Sequence, residues 1–274
     1  MIKFEHTIFA LPFALIAALI AADGVPETQQ IAGILGAMVG GRSSAMTFNR
    51  IVDYRYDSTN PRTKGRALPA GRLSMKFAVI FTIAMSLLFI GSAASLNKLC
   101  FVLSFPVLAI LFSYSYTKRF TSLSHFALGF AIGLAPVGAW IAVTGDLALS
   151  SILIGISVML WVSGFDIIYS CQDWEFDRKT KLFSIPVKWG IQKALFVSSI
   201  LHVLTLTLLL GIAQVNGLGS AAYLGIAIVA VIFFCEHRMV RTDDLSRLNI
   251  AFFNLNGYVS LVLLASFAAD ILLF

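Results

Sequence analysis

Two rows of side chains with metal-ligand character stand about a hundred residues apart, and each lies at the end of an apolar run. The rows consist of Asn49, Asp53 and Asp57, and of Asp166, Asp173 and Asp177. Steps of four or seven residues keep the members of a row on one face of a helix. Because Mg²⁺ prefers oxygen ligands and bridges carboxylates to substrate phosphates, the two rows predict a Mg²⁺–diphosphate site.

Cations stand near both rows, as a site for a polyanion requires. The candidates are Arg50, Arg62, Arg66, Lys118 and Arg119. Metal and cations together would neutralise the charge that develops on a departing diphosphate. Tyr169 lies one turn from Asp166 and could hold a phosphate, steady a carbocation through its ring, or simply pack. Glu175, Arg72 and Lys76 are expected to be solvent-exposed charges.

The composition excludes an ordinary soluble domain. The 274 residues are 58% hydrophobic and 12% charged, with a mean hydropathy of +0.88. No polar linker divides the chain, so residues 1–274 are expected to form one domain in contact with membrane lipid. The net charge of +6 is attributed to basic membrane loops, and no nucleic-acid partner is expected.

Nine apolar runs are candidates for crossing the membrane, for which a helix needs about 20 residues. They lie at 7–22, 31–52, 77–95, 99–116, 124–143, 150–171, 190–212, 218–235 and 249–273. Backbone polar groups cannot remain unpaired in hydrocarbon, so each run is predicted to be a helix. The fold class expected is an all-α polytopic membrane protein with nine transmembrane helices.

Basic residues orient the predicted bundle. Lysines and arginines concentrate in the loops after the second, fourth, sixth and eighth runs, the last of which carries Arg238, Arg241 and Arg247. Lys98 is the cation of the opposite loops. The positive-inside rule therefore places the basic loops in the cytoplasm. Both acidic rows then lie at cytoplasmic helix ends, and we expect a bacterial inner membrane with the site on its cytoplasmic side.

Neither the histidines nor the cysteines show the spacing of a metal site. Cys100, Cys171 and Cys235 lie far apart in or beside apolar runs and are interpreted as structural thiols. His125 and His202 stand alone on apolar stretches and are likewise assigned to structure.

Four segments resemble motifs of the UbiA superfamily of intramembrane prenyltransferases. Asn49-Arg50-x-x-Asp53-x-x-x-Asp57 resembles the first aspartate-rich motif of that family, and Asp166-x-x-Tyr169-x-x-x-Asp173-x-x-x-Asp177 resembles the second. The segment Arg62–Gly71 is similar to the basic segment after the first motif, and Tyr114-x-Tyr116-x-Lys118-Arg119 to the tyrosine-lysine-arginine motif. The four segments occur in the family's order and extend the resemblance over essentially the whole chain.

The resemblance implies helices around a central cavity, with cytoplasmic loops capping a diphosphate site. It implies as catalytic residues Asp53, Asp57, Asp166, Asp173, Asp177 and Tyr169; as Mg²⁺ ligands Asn49, Asp53, Asp57, Asp173 and Asp177; and as diphosphate-binding residues Asn49, Arg50, Arg62, Arg66 and Lys118. Diphosphate departure from a polyprenyl diphosphate would leave an allylic cation. An aromatic ring would attack it and lose a proton. The isoprenoid would lie against residues such as Phe130 and Trp140.

The acceptor remains open between two aromatic acids. The segments Asn216–Gly219 and Asn256–Val259 resemble 4-hydroxybenzoate polyprenyltransferases, whose relatives in the futalosine route of menaquinone synthesis prenylate 1,4-dihydroxy-6-naphthoate. Both acceptors carry a carboxylate, for which Arg119 and Arg42 are candidate ligands. Arg50 replaces the commoner Asp after Asn49, which leaves the metal count and the ligand role of Asn49 open.

Other functions compete with this interpretation. A cation-coupled transporter would also hold acidic residues in the membrane, but near its middle and often in inverted repeats. Here the acids cluster at one face beside basic loops. Haem farnesylation and archaeal ether-lipid synthesis share the diphosphate site within the superfamily, so the aspartates do not exclude them.

Overall fold

The computed structural model describes residues 7–240 and 254–273, and every regular element in these two ranges is a helix. In chain order the helices are α1 (Thr7–Ala22), α2 (Thr28–Val52), α3 (Tyr54–Thr59), α4 (Met75–Leu96), α5 (Lys98–Thr117), α6 (Ser124–Thr144), α7 (Leu149–Ser170), α8 (Trp174–Lys179), α9 (Ile185–Trp189), α10 (Ile191–Val215), α11 (Ser220–Met239) and α12 (Asn256–Leu273). A 3₁₀ turn, Cys171–Asp173, joins α7 to α8. The predicted all-α class is confirmed.

Seven of these helices are long and apolar enough to cross a membrane: α4, α5, α6, α7 with its continuation to Lys179, α10, α11 and α12. The predicted count of nine spans is not confirmed. In the described part of the chain α1 is a shorter apolar helix. α2 has the length, but its glycines, serines and Arg42 lower its hydropathy, and Gly40, Ser44 and Thr47 face the interior. Arg241, Arg247 and the start of the ninth run lie outside the described residues.

The long helices pack mainly against their neighbours in a closed order. α6 contacts α7, α7 contacts α10, and the order continues through α11 and α12 to α1, which returns to α6. α4 packs against α2 and α5 outside this ring. The apolar core of the ring includes Phe13, Trp161, Leu263 and Val229, all buried.

Local sequence sets the helix ends and the close contacts. The Ser74 hydroxyl accepts from the Phe77 N–H (3.1 Å) and begins α4, and the Asn97 side chain accepts from the Cys100 N–H (2.8 Å) and begins α5. A side chain at Gly40 would meet the Phe89 backbone nitrogen at 2.6 Å. A small residue is therefore required where α2 crosses α4.

Candidate active site

A cavity of about 250 Å³ opens where α2, α5 and α7 end and α6 begins. Eleven of the residues singled out in the sequence line it: Asn49, Arg50, Asp53, Asp57, Arg62, Arg66, Lys118, Asp166, Tyr169, Asp173 and Asp177. They come from three stretches that are far apart in sequence: 49–66, 118 and 166–177. The fold therefore brings both acidic rows and their cations around one space.

The first acidic row keeps its helical register across a break in the helix. α2 ends at Val52, and Asp53 separates it from α3. The helical hydrogen-bond pattern continues across the break. The Asp53 N–H donates to the Asn49 carbonyl (2.9 Å), and the Asp57 N–H donates to the Asp53 carbonyl (2.8 Å). The Asn49 side-chain amide donates to Asp53 Oδ2 at 3.3 Å. The three side chains therefore lie along one face, as the spacing predicts.

Both carboxylates of this row are buried and paired with cations. Asp53 forms an ion pair with Lys118, and Arg119 lies 3.5 Å from its Oδ1. Asp57 accepts from Arg66 Nη1 at 2.6 and 2.8 Å, and Arg50 lies at 3.8 Å. Because a buried carboxylate is unfavourable without a partner, these cations compensate for the desolvation.

The second row is held by the loop after α3. Arg62 donates from Nε to Asp173 Oδ1 at 2.9 Å and from Nη2 to Oδ2, and the Asn60 amide donates to Oδ1 at 3.2 Å. Arg62 Nη1 also donates to the Tyr169 hydroxyl at 2.9 Å. Burial lowers the pKa of Arg62, but the hydrogen bonds and charge of Asp173 outweigh it, so that pKa lies above its ordinary value.

The oxygen ligands that line the cavity fit Mg²⁺ only when a diphosphate supplies further ligands. Among the described residues no three His, Cys, Asp or Glu side chains converge closely enough to hold a metal ion alone. Asp53, Asp57 and Asp173 are instead paired with lysine or arginine side chains. Asp53 Oδ1 is nevertheless buried without a hydrogen-bond donor in the described structure. Hard oxygen donors around a polyanion-sized space suit Mg²⁺ that is bridged to phosphates.

The two candidate acceptor arginines do not line this cavity. Arg119 lies in an adjoining pocket, where it donates to the Val52 carbonyl at 2.8 Å and stacks over Tyr56 at 5.4 Å. Tyr56 lines both spaces. Arg42 is half-buried in α2, two helical turns before Asn49, and therefore about 10 Å from it along the helix axis.

Several other residues differ from their sequence interpretation. His125, which we assigned to structure, lies in the cavity wall and contacts Asp166 at 2.6 Å. Its only sequence signal is its position six residues after Arg119. Neither Phe130 nor Trp140 lines the cavity, and Phe130 is 46% exposed.

Other expectations are confirmed. The Glu175 side chain is 79% exposed and pairs only loosely, at 3.9 Å, with Lys179. Cys100 and Cys171 are buried free thiols, as expected of structural cysteines, whereas Cys235 is an exposed free thiol. His202 is buried, with its ring stacked on Phe233 at 4.2 Å and its Nδ1 3.0 Å from His237 Nε2.

Comparison with known proteins gives consistent matches along the chain. Residues 10–258 match the model of the UbiA prenyltransferase family. The chain is 30% identical over 248 residues to a 4-hydroxybenzoate octaprenyltransferase of Vibrio parahaemolyticus, which covers 90% of this chain and 86% of that protein. A relative with the same description from Klebsiella pneumoniae is 30% identical over 253 residues, or 92% of this chain and 87% of that protein.

Solved structures show the same architecture. The apo structure of a UbiA homolog from Aeropyrum pernix K1 superposes with a TM-score of 0.90 at 35% identity, over 99% of this chain and 100% of that one. A UbiA homolog from Archaeoglobus fulgidus, bound to DMAPP and Mg²⁺, gives 0.73 at 21% identity over 97% of both chains. The second likeness concerns the fold alone.

Proposed function

The chain belongs to the UbiA prenyltransferase family, and on that premise we propose that it transfers a polyprenyl group from a polyprenyl diphosphate to the ring of an aromatic acid. The observation that carries the proposal is the single cavity that gathers Asp53, Asp57 and Asp173 with Arg62, Arg66 and Lys118. Acids for metal and cations for phosphate in one space are what a diphosphate donor needs. The cation-coupled transporter is set aside on the family assignment.

The residues of this chain would bind and orient the donor. Arg62, Arg66 and Lys118 now hold carboxylates, and we propose that they turn part of their hydrogen bonding to the phosphate oxygens when the donor enters. The carboxylates thus released, with Asn49 and Asp177, would hold Mg²⁺. The bound metal would neutralise the charge that develops on the leaving diphosphate. Tyr169, kept in place by Arg62, would lie beside the allylic cation.

For the acceptor we propose an acid of the 4-hydroxybenzoate type, prenylated in respiratory quinone synthesis. The support comes from the relatives described as 4-hydroxybenzoate octaprenyltransferases. Arg42 and Arg119 are the proposed ligands of the acceptor carboxylate. Arg42 is favoured because it shares the helical face of Asn49 at a deeper position, whereas Arg119 already braces Val52 and Asp53. The alternative acceptor is 1,4-dihydroxy-6-naphthoate.

We further propose one domain over 1–274, with nine spans and the cavity on the cytoplasmic side of a bacterial inner membrane. The nine spans would comprise the seven candidate helices together with α1 and α2. The orientation follows from the basic loops around the cavity, which hold Arg62, Arg66, Lys118 and Arg119.

A product assay tests the proposal. Membranes that contain the protein would receive Mg²⁺, a polyprenyl diphosphate and equal amounts of 4-hydroxybenzoate and 1,4-dihydroxy-6-naphthoate. Preference for the benzoate is the expected result, and preference for the naphthoate would move the protein to menaquinone synthesis. Release of diphosphate without prenylation of either acid would refute the acceptor assignment. Absence of both product and released diphosphate would refute the donor assignment as well.

A further inference from the structure

Asp166 differs from its neighbours in the partner that holds it. Asp53, Asp57 and Asp173 each form ion pairs with arginine or lysine, whereas Asp166 Oδ2 contacts His125 Nδ1 at 2.6 Å. In the described part of the chain no lysine or arginine nitrogen lies within 4 Å of Asp166. Its side chain is 23% exposed on the cavity wall. The Asp166 carboxylate is therefore not engaged by a lysine or an arginine.

The contacts of His125 define which of its nitrogens carries the proton. The Ile185 N–H donates to His125 Nε2 at 3.3 Å, so Nε2 is the acceptor of the ring. Nδ1 then carries the hydrogen and donates it to Asp166 Oδ2. The Ser163 hydroxyl donates to the His125 carbonyl at 3.2 Å and fixes the start of α6 against α7. The imidazole is buried and held at both ends.

This arrangement leaves the second oxygen of Asp166 uncommitted. No described group donates a hydrogen bond to Oδ1, which belongs to a side chain on the cavity wall. Asp53, Asp57 and Asp173, in contrast, are each engaged by a lysine or an arginine.

We propose that His125 is a positioning residue, which fixes Asp166 Oδ2 so that Oδ1 accepts the proton that the acceptor ring loses. The inference rests on the proposed function, in which an aromatic ring attacks the allylic cation. The bond between the prenyl carbon and the diphosphate oxygen breaks, and a carbon–carbon bond to the ring forms. The ring C–H bond then breaks, its electron pair restores aromaticity, and the proton moves to Oδ1. Asp166 later returns the proton to water or to the released diphosphate.

Two substitutions separate positioning of Asp166 from support of Ile185. In His125→Asn the amide nitrogen lies near the position of Nδ1 and can still donate to Asp166. In His125→Gln the amide oxygen lies near the position of Nε2 and can still accept from Ile185, but the bond to Asp166 is lost. If His125 acts by positioning Asp166, the Asn variant turns over faster than His125→Ala, and the Gln variant does not. A histidine that only supports the loop predicts the reverse order.

An isotope effect gives a readout that a structural role would not change. Wild type, Asp166→Asn and the three His125 variants would be assayed with 4-hydroxybenzoate, either unlabelled or deuterated on the ring. Loss of a general base typically costs 10²–10⁴-fold, so Asp166→Asn should lose about 100-fold or more. Because removal of the ring proton then limits turnover, a primary deuterium isotope effect should appear in Asp166→Asn, His125→Ala and His125→Gln.

The outcomes distinguish this inference from the function on which it rests. Slow variants without any isotope effect, beside a normally active wild type, would overturn the role of the pair and leave the proposed function intact. Rescue by Gln rather than Asn would overturn the positioning role of His125. A wild type that prenylates no aromatic acid, while still releasing diphosphate, would overturn the acceptor assignment and this inference with it.

Discussion

Arg62 and Asp173 form a two-point ion pair that joins the loop after α3 to the turn after α7. The two residues are 111 positions apart in the chain. Their pairing connects the segments that carry the two acidic rows. Because Arg62 binds Asp173 and also lines the cavity, its guanidinium can exchange hydrogen bonds with a diphosphate that enters there.

Replacement of a single row carboxylate should abolish turnover. Asp53→Asn and Asp173→Asn keep the side-chain shape but remove a charged oxygen ligand, so we expect activity to fall by at least about 100-fold. Glu175→Gln is the matched control, because that acid belongs to the second motif but is 79% exposed. Turnover at saturating Mg²⁺ and the elution profile of the purified protein would be measured. Full activity in both aspartate variants would contradict the metal assignment.

Removal of metal should stop turnover without unfolding the bundle. Asp53, Asp57 and Asp173 are paired with Lys118, Arg66 and Arg62. Since these cations compensate for the buried charges, the melting temperature should change little on addition of a chelator. Mg²⁺ added back should restore activity. A large fall in melting temperature would instead indicate a structural metal.

Loss of the two-point contact that Arg62 makes should weaken binding of the polyprenyl diphosphate more than binding of the aromatic acid. Arg62→Ala removes hydrogen bonds between charged groups, each worth about 1.5–3 kcal/mol, so the donor KM should rise roughly 10–100-fold. Arg62→Lys should recover only part of this, because lysine cannot form the two-point contact. Lys64→Ala serves as control, since Lys64 lies exposed in the same loop. An unchanged donor KM would exclude Arg62 from phosphate binding.

The two candidate acceptor arginines should respond differently. Arg42→Ala is expected to raise the KM of the aromatic acid while that of the polyprenyl diphosphate stays nearly constant. Arg119→Ala should affect both substrates alike, because Arg119 supports Asp53 and the end of α2. Steady-state kinetics with each substrate varied in turn would decide. An acceptor-selective loss in Arg119→Ala alone would reverse the assignment.

The buried contacts of Asn256 predict a stability effect away from the cavity. Trp161 Nε1 donates to Asn256 Oδ1 at 2.8 Å, and Asn256 Nδ2 donates to Glu236 Oε1 at 2.7 Å. Asn256→Ala leaves two buried groups without partners, at a cost of roughly 1–3 kcal/mol each. The melting temperature should fall clearly, but hardly at all for Asn254→Ala, because Asn254 is exposed. Equal melting temperatures would show that water or other groups replace these bonds.

The sequence by itself determined the helical class, most helix boundaries and the two acidic rows. These follow from local physics: apolar runs must form helices in hydrocarbon, and steps of four residues share a helix face. The register of Asn49, Asp53 and Asp57 was predictable for this reason, even across the break at Asp53. The chemical character of the site followed from residue types alone.

Only the tertiary structure decided which cation meets which acid. Arg62 with Asp173, Lys118 with Asp53, and the placement of Arg119 in an adjoining pocket depend on how distant helix ends pack together. The position of His125 six residues after Arg119 does not reveal its role, because a lone histidine acquires a role only from its partners. Its contacts with Asp166 and Ile185 arise from α6, α7 and α9 meeting at one point, and no local pattern encodes that meeting.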